Sequence, residues 1–220
     1  MASDKRLNDL LRWSVENSDV TRNDPSAAET AASQPEPSQL TPELMAALMG
    51  GPSDADLMKA SIEIIQSPPS EVTLENKLIA FDNFEQLIES LDNANNIANL
   101  GLWTPLLDQL KSEEAELKRM AAWCIGTAVQ NNEKTQERLY AIGGVPTLVS
   151  LAMAQEEEGN VRKKAVYALS SACRNYQPAM DVCIEELKKL GLGFDKVDAT
   201  DMEAVDVVIN GLRERIKGDA

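Results

Sequence analysis

"LKRMAAWCIGTAVQN" (residues 117–131) and "VRKKAVYALSSACRN" (residues 161–175) are two copies of one pattern. The second copy begins 44 residues after the first, and without a gap the two agree in residue type at nearly every position, with Trp123 opposite Tyr167. In both, apolar residues recur every three to four positions, which is the period of a helix that buries one face. The pattern therefore indicates a repeated helix.

A second pair of segments precedes these two copies. "GLWTPLLDQL" (residues 101–110) and "GGVPTLVSLA" (residues 143–152) each carry a glycine, a proline and then leucines, and their prolines are 41 residues apart. The remaining difference of three residues falls in a longer loop at residues 155–159. Repeats of roughly 40–47 residues are typical of helical solenoids of the armadillo and HEAT kind.

Further helices extend the array at both ends. Residues 57–66 and 74–91 fit an earlier copy whose register against the others stays open. Near the C-terminus, Thr200 and Glu203 fit a capping box. The apolar stripe that follows consists of Met202, Val205, Val208, Ile209, Leu212 and Ile216. The chain is therefore predicted to be all-α: an armadillo/HEAT-like right-handed α-solenoid of about three repeats with N-terminal and C-terminal capping helices.

Three parts are expected along the chain. Residues 1–41 form a flexible N-terminal segment, in which residues 7–15 are a short amphipathic stretch and the polar remainder is a disordered tether. Residues 42–190 form the armadillo-like repeat domain, which opens with an expected helix at residues 44–49. Residues 191–220 form the C-terminal capping helix.

The charge of the chain excludes several classes of partner. Its 220 residues include 21 Lys and Arg against 36 Asp and Glu, a formal net charge of −15. Such a chain is repelled by nucleic-acid phosphates and by anionic membrane surfaces. No apolar run approaches the ~18 residues of a membrane span, and no signal peptide is recognised. We expect a cytoplasmic monomer that binds neither nucleic acid nor membrane.

Catalysis is not expected either. The sequence has no histidine, which removes the commonest general base and metal ligand, and no P-loop, GxSxG or HExxH motif. Cys124, Cys173 and Cys183 lie in apolar helical contexts without CxxC spacing, where buried inert thiols are expected. The prediction is a protein that is not an enzyme and that holds no metal and no cofactor.

Two columns of side chains are candidates for binding another protein. In armadillo-like units the third helix lines a concave groove, and residues four apart share its exposed face. The columns are Trp123, Thr127 and Asn131 in the first copy and Tyr167, Ser171 and Asn175 in the second. The alternative, that Trp123 and Tyr167 pack between repeats as core, stays open.

Basic residues open both repeated helices. Lys118 and Arg119 begin the first copy, and Arg162, Lys163 and Lys164 begin the second. Stacked repeats would bring these residues side by side as a basic strip that meets acidic side chains of a partner. The alternative is that they are solvated helix ends.

The stretch "LDNANNIANLGLW" (residues 91–103) is rich in asparagine, a poor helix former. We expect Asn93, Asn95 and Asn96 to end the helix that starts at Leu74, and Asn99 to cap or turn into the next. The surplus of amides suggests that part of residues 92–96 contacts a partner, since amides donate and accept without the desolvation cost of a full charge.

Several of these segments resemble the fungal nucleotide-exchange factors of the 70-kDa heat-shock chaperones. They are "KLIAFDNFEQLIESLDNANNI" (77–97), "GLWTPLL" (101–107) and "MAAWCIGTAVQNN" (120–132), together with "LNDLLRWSVENS" (7–18) and "LMGGPSDADLMK" (48–59). The resemblance covers nearly all of residues 7–185. It ends at the C-terminus, where longer family members add helical repeats and this chain has only residues 195–220.

The resemblance implies a mechanism. The armadillo-like domain of this family embraces one lobe of the chaperone's nucleotide-binding domain, so that ADP leaves, ATP enters and the client is released. By the same resemblance, the partner surface comprises Asp92, Asn93, Ala94, Asn95 and Asn96, with the Trp123 and Tyr167 columns behind. Ala94 is then the small residue that allows close approach, and a large charged side chain there would block docking.

The resemblance also gives the N-terminus a role. Leu10, Leu11, Arg12 and Trp13 are expected to compete at the client site of the chaperone and to speed release, although a simple amphipathic stub fits the residues equally well. The alternative interpretation of the chain's function is an armadillo peptide-binding adaptor or scaffold without exchange activity. Nuclear import carriers of that kind use a tryptophan followed four residues later by an asparagine, whereas here Thr127 and Ser171 hold that position.

Overall fold

The computed structural model describes residues 51–218, and every structural statement below concerns those residues. The amphipathic stretch at residues 7–15, the tether and the helix expected at residues 44–49 lie outside them. The division of the chain at residues 41 and 190 therefore stays a prediction.

Helices account for all regular structure in the described part of the chain, as predicted for an all-α protein. The ten α-helices, with one short 3-10 helix between α4 and α5, are α1 (Asp54–Gln66), α2 (Leu74–Ile88), α3 (Leu91–Asn99), α4 (Trp103–Asp108), the 3-10 helix (Gln109–Lys111), α5 (Ala115–Val129), α6 (Glu133–Ala141), α7 (Gly144–Met153), α8 (Gly159–Cys173), α9 (Gln177–Lys189) and α10 (Met202–Gly218).

The repeat that was read from the sequence is present in the helix boundaries. Helices α5 and α8 both contain 15 residues, and their first residues, Ala115 and Gly159, are 44 positions apart. Helices α6 and α9 also begin 44 positions apart, and α4 and α7 begin 41 positions apart. The sequence comparison therefore aligned equivalent helices. The right-handed course of the superhelix stays a prediction.

Equivalent helices contact one another in rows. Helices α2, α5, α8 and α10 pack successively, α3 packs on α6 and α6 on α9, and α1 packs on α4. The core lies between the rows and includes the fully buried side chains Phe81, Phe84, Ile125 and Leu169. Because each repeat buries its apolar face against the next, the row of α2, α5 and α8 is held as a continuous surface.

Helix α5 lies directly against α8 at Gly126. A Cβ atom at this position would lie 2.4 Å from Cε1 of Tyr167 and 3.2 Å from the Cα of Ala168. Only glycine leaves room there for the Tyr167 ring. The glycine therefore sets both the spacing of the two helices and the position of an aromatic side chain on their shared face.

The asparagine-rich stretch does not end α2, and this prediction is wrong. Helix α2 ends at Ile88, Ser90 is extended with φ −69° and ψ 127°, and the asparagines form a helix of their own, α3. The Asn93 side chain donates to the Leu87 carbonyl at 2.9 Å and to Asp54 Oδ2 at 2.8 Å. This asparagine fastens α3 to the end of α2 and to the start of α1, which offsets its low helix propensity. Asn99 is the last residue of α3.

The cap of the last helix is displaced from its predicted position. Helix α10 begins at Met202, and Asp201 Oδ1 accepts from the Ala204 amide at 3.1 Å, so Asp201 is the N-cap. The Thr200 hydroxyl instead donates to Asp198 Oδ1 at 2.7 Å, and the capping box of Thr200 and Glu203 is wrong. The apolar stripe is confirmed, since Val205, Val208, Ile209, Leu212 and Ile216 are buried.

All three cysteines are buried free thiols, as expected. Burial raises the pKa of the Cys124 thiol well above its usual value, and the nearby Glu85 raises it further. A thiol held protonated in this way is a poor nucleophile.

Candidate partner-binding groove

Helices α2, α5 and α8 present a cleft of about 440 Å³ on their shared face. Its lining residues are Glu85, Glu89, Trp123, Thr127, Gln130, Asn131 and Tyr167. Four of the six residues in the predicted columns, Trp123, Thr127, Asn131 and Tyr167, therefore line one cleft. We call this cleft and the face around it the groove.

The two aromatic side chains occupy equivalent positions on α5 and α8. Trp123 and Tyr167 are both half-buried, and Trp123 also packs against the core. The Lys164 ammonium lies 4.3 Å from the centroid of the Trp123 ring and 5.4 Å from that of Tyr167, distances at which a cation is attracted to the ring face. Trp123 therefore packs against the core and also lines the groove, while its contact with a partner stays a prediction.

Two hydrogen bonds connect neighbouring helices across the groove. The Thr127 hydroxyl donates to Glu85 Oε1 at 2.7 Å, which ties α5 to α2. The Tyr167 hydroxyl donates to Gln130 Oε1 at 3.2 Å, which ties α8 to the end of α5. The polar side chains of the groove are therefore held in place before any partner arrives.

The two column asparagines have a backbone role. Asn131 (φ 52°) and Asn175 (φ 59°) are the only described residues other than glycine with positive φ, and each follows the C-terminal end of a repeated helix. Asparagine tolerates this left-handed conformation better than most side chains. The backbone thus accounts for the recurrence of asparagine, while both side chains remain exposed.

Ser171 is not a groove residue, and its prediction is wrong. Its exposed fraction is 7%, and its backbone carbonyl accepts from the Gln136 side chain at 2.8 Å. The equivalent Thr127 is half-buried and lines the groove. The two columns therefore differ in depth at their middle position.

The basic residues do not form the continuous strip that was predicted. Lys118 pairs with Glu157, and Arg119 pairs with Glu116 at 2.6 Å. Arg162 is 3% exposed and donates to the Ala152 carbonyl at 3.0 Å, which places its guanidinium inside the protein. Glu116 lies in the first turn of α5 and Glu157 in the loop before α8, so the pattern of basic residues alone overestimated the unpaired positive charge.

Lys163 and Lys164 are the members of the predicted strip that carry charge beside the groove. Lys163 is exposed, and Lys164 lies against the two aromatic rings. Burial lowers the pKa of Lys164, as does the neighbouring Arg119, whereas the charge of Glu85 acts in the opposite direction. A partner would thus meet two cations at this end of α8.

The residues of α3 divide into buried and exposed sets. Ala94 is 3% exposed, so the prediction that it offers a small surface residue for close approach is wrong. Asn93 is engaged within the fold, and Asn96 Oδ1 accepts from Asn99 at 3.2 Å. Asp92 is exposed and Asn95 is half-buried. Helical periodicity turns the middle of α3 inwards, which could not be seen while this stretch was read as a helix end.

Sequence reasoning missed the contribution of α2 to the groove. Glu85 and Glu89 line the main cleft, and a second, shallower cleft of about 310 Å³ continues along α2 towards its start. That cleft is lined by Glu75, Leu78, Ile79, Asp82, Arg119, Met120 and Trp123. Ile79 is 53% exposed, while Phe81 and Phe84 on the opposite face are fully buried. The alignment of α2 against α5 in the structure shows which α2 residues face the groove, and the sequence alone did not give that alignment.

The repeated helices and the groove define a helical-repeat binding protein. The crystal structure of an engineered protein shares this arrangement of helices, with a TM-score of 0.52 and 19% sequence identity over 94% of this chain and 78% of that chain. Among the described residues, every helix is too short or too polar to pass through a lipid bilayer.

Family comparisons identify the protein more closely. Residues 7–97 match the family described as nucleotide exchange factor Fes1, and residues 93–191 match the SIL1/FES1/HPBP1 C-terminal domain. A relative from Gibberella zeae named Hsp70 nucleotide exchange factor FES1 is 70% identical over 97% of this chain and 98% of its own length. A relative from Neurospora crassa, named Hsp70 nucleotide exchange factor fes-1, is 52% identical over 97% of this chain. The chain belongs to the Fes1 family of nucleotide exchange factors, as its sequence suggested.

Other relatives are longer than this chain. A protein from Candida glabrata, also named Hsp70 nucleotide exchange factor FES1, is 46% identical over 76% of this chain, and the match spans 55% of its own length. The relative from Gibberella zeae, by contrast, is matched over nearly its whole length. Both lengths therefore occur among relatives with the same name.

Proposed function

We propose that this chain is a nucleotide exchange factor for a cytosolic 70-kDa heat-shock chaperone. It binds the nucleotide-binding domain of the chaperone, promotes the release of ADP and thereby the release of the client. The observation that carries this proposal is the 70% identity, over 97% of the chain, to a protein named Hsp70 nucleotide exchange factor FES1. The comparisons give no support to the alternative of a peptide-binding adaptor.

The groove supports the proposal because it offers a preformed surface for a folded partner. Its aromatic rings supply contact area at low entropic cost, and the hydrogen bonds of Thr127 and Tyr167 fix its polar side chains. A partner that docks there need not order this chain first. The binding free energy can then act on the conformation of the partner.

The proposed mechanism is a difference in affinity between two conformations of the chaperone. If the exchange factor binds the nucleotide-poor conformation more tightly, it weakens ADP binding by the same factor. Bond-making and bond-breaking by this chain are not part of that scheme, so we propose that it is not an enzyme. A densely packed helical core suits the task, because a stiff surface deforms its partner rather than itself.

The proposed contact surface joins predicted and newly recognised residues. The residues retained from the sequence are Asp92, Asn95, Asn96, Arg119, Trp123, Thr127, Asn131, Lys163, Lys164, Tyr167 and Asn175. Helix α2 adds Ile79 and Asp82, which line the shallower cleft. The N-terminal residues Leu10, Leu11, Arg12 and Trp13 lie outside the described part of the chain and are proposed to act at the client site. The protein is proposed to be a cytoplasmic monomer.

The release of a fluorescent ADP from a cytosolic 70-kDa heat-shock chaperone, followed by stopped flow, tests this function. Wild type should accelerate release. Ile79→Arg should lose most of that acceleration, since a long charged side chain at a 53% exposed position of the groove weakens docking by at least about tenfold.

Ile64→Arg is the matched control, because Ile64 is 39% exposed on α1 and does not line either groove cleft. It should keep the wild-type acceleration. If wild type gives no acceleration, the proposed function is wrong. If both variants retain it, the function holds and the docking face lies elsewhere.

A further inference from the structure

A buried carboxylate that forms no ion pair with any described residue lies at the base of the groove. Glu85 is 6% exposed, and its Oε1 atom accepts from the Thr127 hydroxyl at 2.7 Å. Its other oxygen receives no hydrogen bond, and no ion pair reaches the carboxylate, from any described residue. Burial of a charged group is costly unless it is compensated. Within the described chain the compensation comes from the Thr127 hydroxyl and from the charge of Lys164, which interacts with Glu85 without forming an ion pair, so the carboxylate can still accept a second cation.

The surroundings of Glu85 favour a cation as well. Glu89 adds a second carboxylate to the same cleft, and the Trp123 and Tyr167 rings, against which Lys164 also lies, form part of its wall. The described lining of the cleft includes no lysine and no arginine. A cleft of about 440 Å³ has room for the end of one long side chain together with water. Carboxylates and aromatic faces in one cleft are the combination that binds a guanidinium or ammonium group.

We propose that this cleft, which we call the carboxylate pocket, receives a basic side chain from the partner, with arginine the better fit. A guanidinium is planar, stacks on aromatic rings, forms two parallel hydrogen bonds to one carboxylate and is less strongly hydrated than an ammonium group. This inference rests on the proposed function, since it specifies what part of the partner enters the groove.

The carboxylate pocket makes the charge distribution of the groove asymmetric, which restricts the orientation in which a partner can dock. Acidic side chains lie on α2 at Asp82 and Glu85 and directly after it at Glu89, whereas Lys163 and Lys164 lie on α8. A partner with a basic residue at one end of its contact face and acidic residues at the other can dock in one orientation only. The reversed orientation would bring like charges together.

Binding of the full-length protein to the isolated nucleotide-binding domain of the chaperone, measured by calorimetry, tests the proposal. Glu85→Gln and Glu89→Gln should each weaken the complex by about tenfold or more, because each leaves the bound cation with less compensating charge. Glutamine at position 85 retains an acceptor for Thr127, so the fold should be kept, which circular dichroism checks. Glu63→Gln, at an exposed carboxylate on α1, is the matched control and should bind as wild type does.

A double-mutant cycle identifies the partner side chain. Each exposed arginine and lysine of the nucleotide-binding domain is replaced by alanine and titrated with wild type and with Glu89→Gln. One arginine variant should weaken wild-type binding and lose little more when Glu89→Gln is combined with it, since interacting residues are not additive.

The outcomes separate this proposal from the function on which it rests. If wild type does not bind the domain at all, the proposed function fails. If wild type binds and both glutamine variants bind equally well, the groove keeps its function and the carboxylate pocket is wrong. Full additivity of Glu89→Gln with every arginine and lysine variant would also overturn it.

Discussion

Asn131 and Asn175 each have two possible roles. Each adopts a backbone conformation that asparagine tolerates well, and each also exposes an amide that a partner can contact. Both have positive φ at the end of a repeated helix. Their recurrence at the same position was read as a sign of partner contact. The turn supplies a sufficient reason for that recurrence, so partner contact by these two side chains needs its own test.

Replacement of Asn131 separates the two roles. Asn131→Ala should lower the free energy of unfolding by about 1 kcal/mol, because alanine lacks the short polar side chain with which asparagine tolerates the left-handed conformation. Asn131→Gly should lower it by less, since glycine adopts positive φ readily. Denaturant unfolding measures both values. An equal loss in the two variants would mean that the amide itself, rather than the backbone, stabilises the turn.

Among the helices, those that recur in the repeat were predicted correctly, and the helix without a clear counterpart was not. Helices α5 and α8 were aligned correctly because each served as a template for the other. Helix α3 had no such template, and its boundary at Ser90 carries no glycine or proline to mark it. The inward position of Ala94 and the acidic face of α2 both depend on how these helices align with the other repeats. The sequence of the first repeat has diverged too far to give that alignment. The ion pair of Lys118 with Glu157 depends on a tertiary contact that the sequence pattern does not contain, whereas Arg119 pairs with Glu116 three residues earlier in the same helix.

The contact between α5 and α8 leads to a prediction at this scale. Gly126→Ala should lower the free energy of unfolding by about 1–3 kcal/mol, because the added Cβ would overlap the Tyr167 ring and overpack the interface. It should also weaken chaperone binding by displacing Tyr167 from the groove. Gly193→Ala is the control, since a Cβ there meets no atom within 4 Å. Thermal unfolding and calorimetric titration of both variants measure the two effects, and unchanged values for Gly126→Ala would contradict this packing argument.

The whole molecule combines a formal net charge of −15 with a groove that has cations at one end and carboxylates at the other. The net charge predicts that nucleic acid is not a partner, but it does not reveal that the groove carries lysines on α8 and carboxylates on α2. The relative from Gibberella zeae is matched over 98% of its own length. The match to the relative from Candida glabrata spans 55% of that protein.

The central claim is that exchange arises from a difference in affinity, and linkage gives its most direct test. The dissociation constant of the full-length protein is measured for the chaperone's nucleotide-binding domain without nucleotide and saturated with ADP. We expect tighter binding without nucleotide, by the same factor by which the protein weakens ADP binding in the reciprocal titration. Equal dissociation constants in the two states would contradict the account, because a protein that binds both states alike cannot displace ADP.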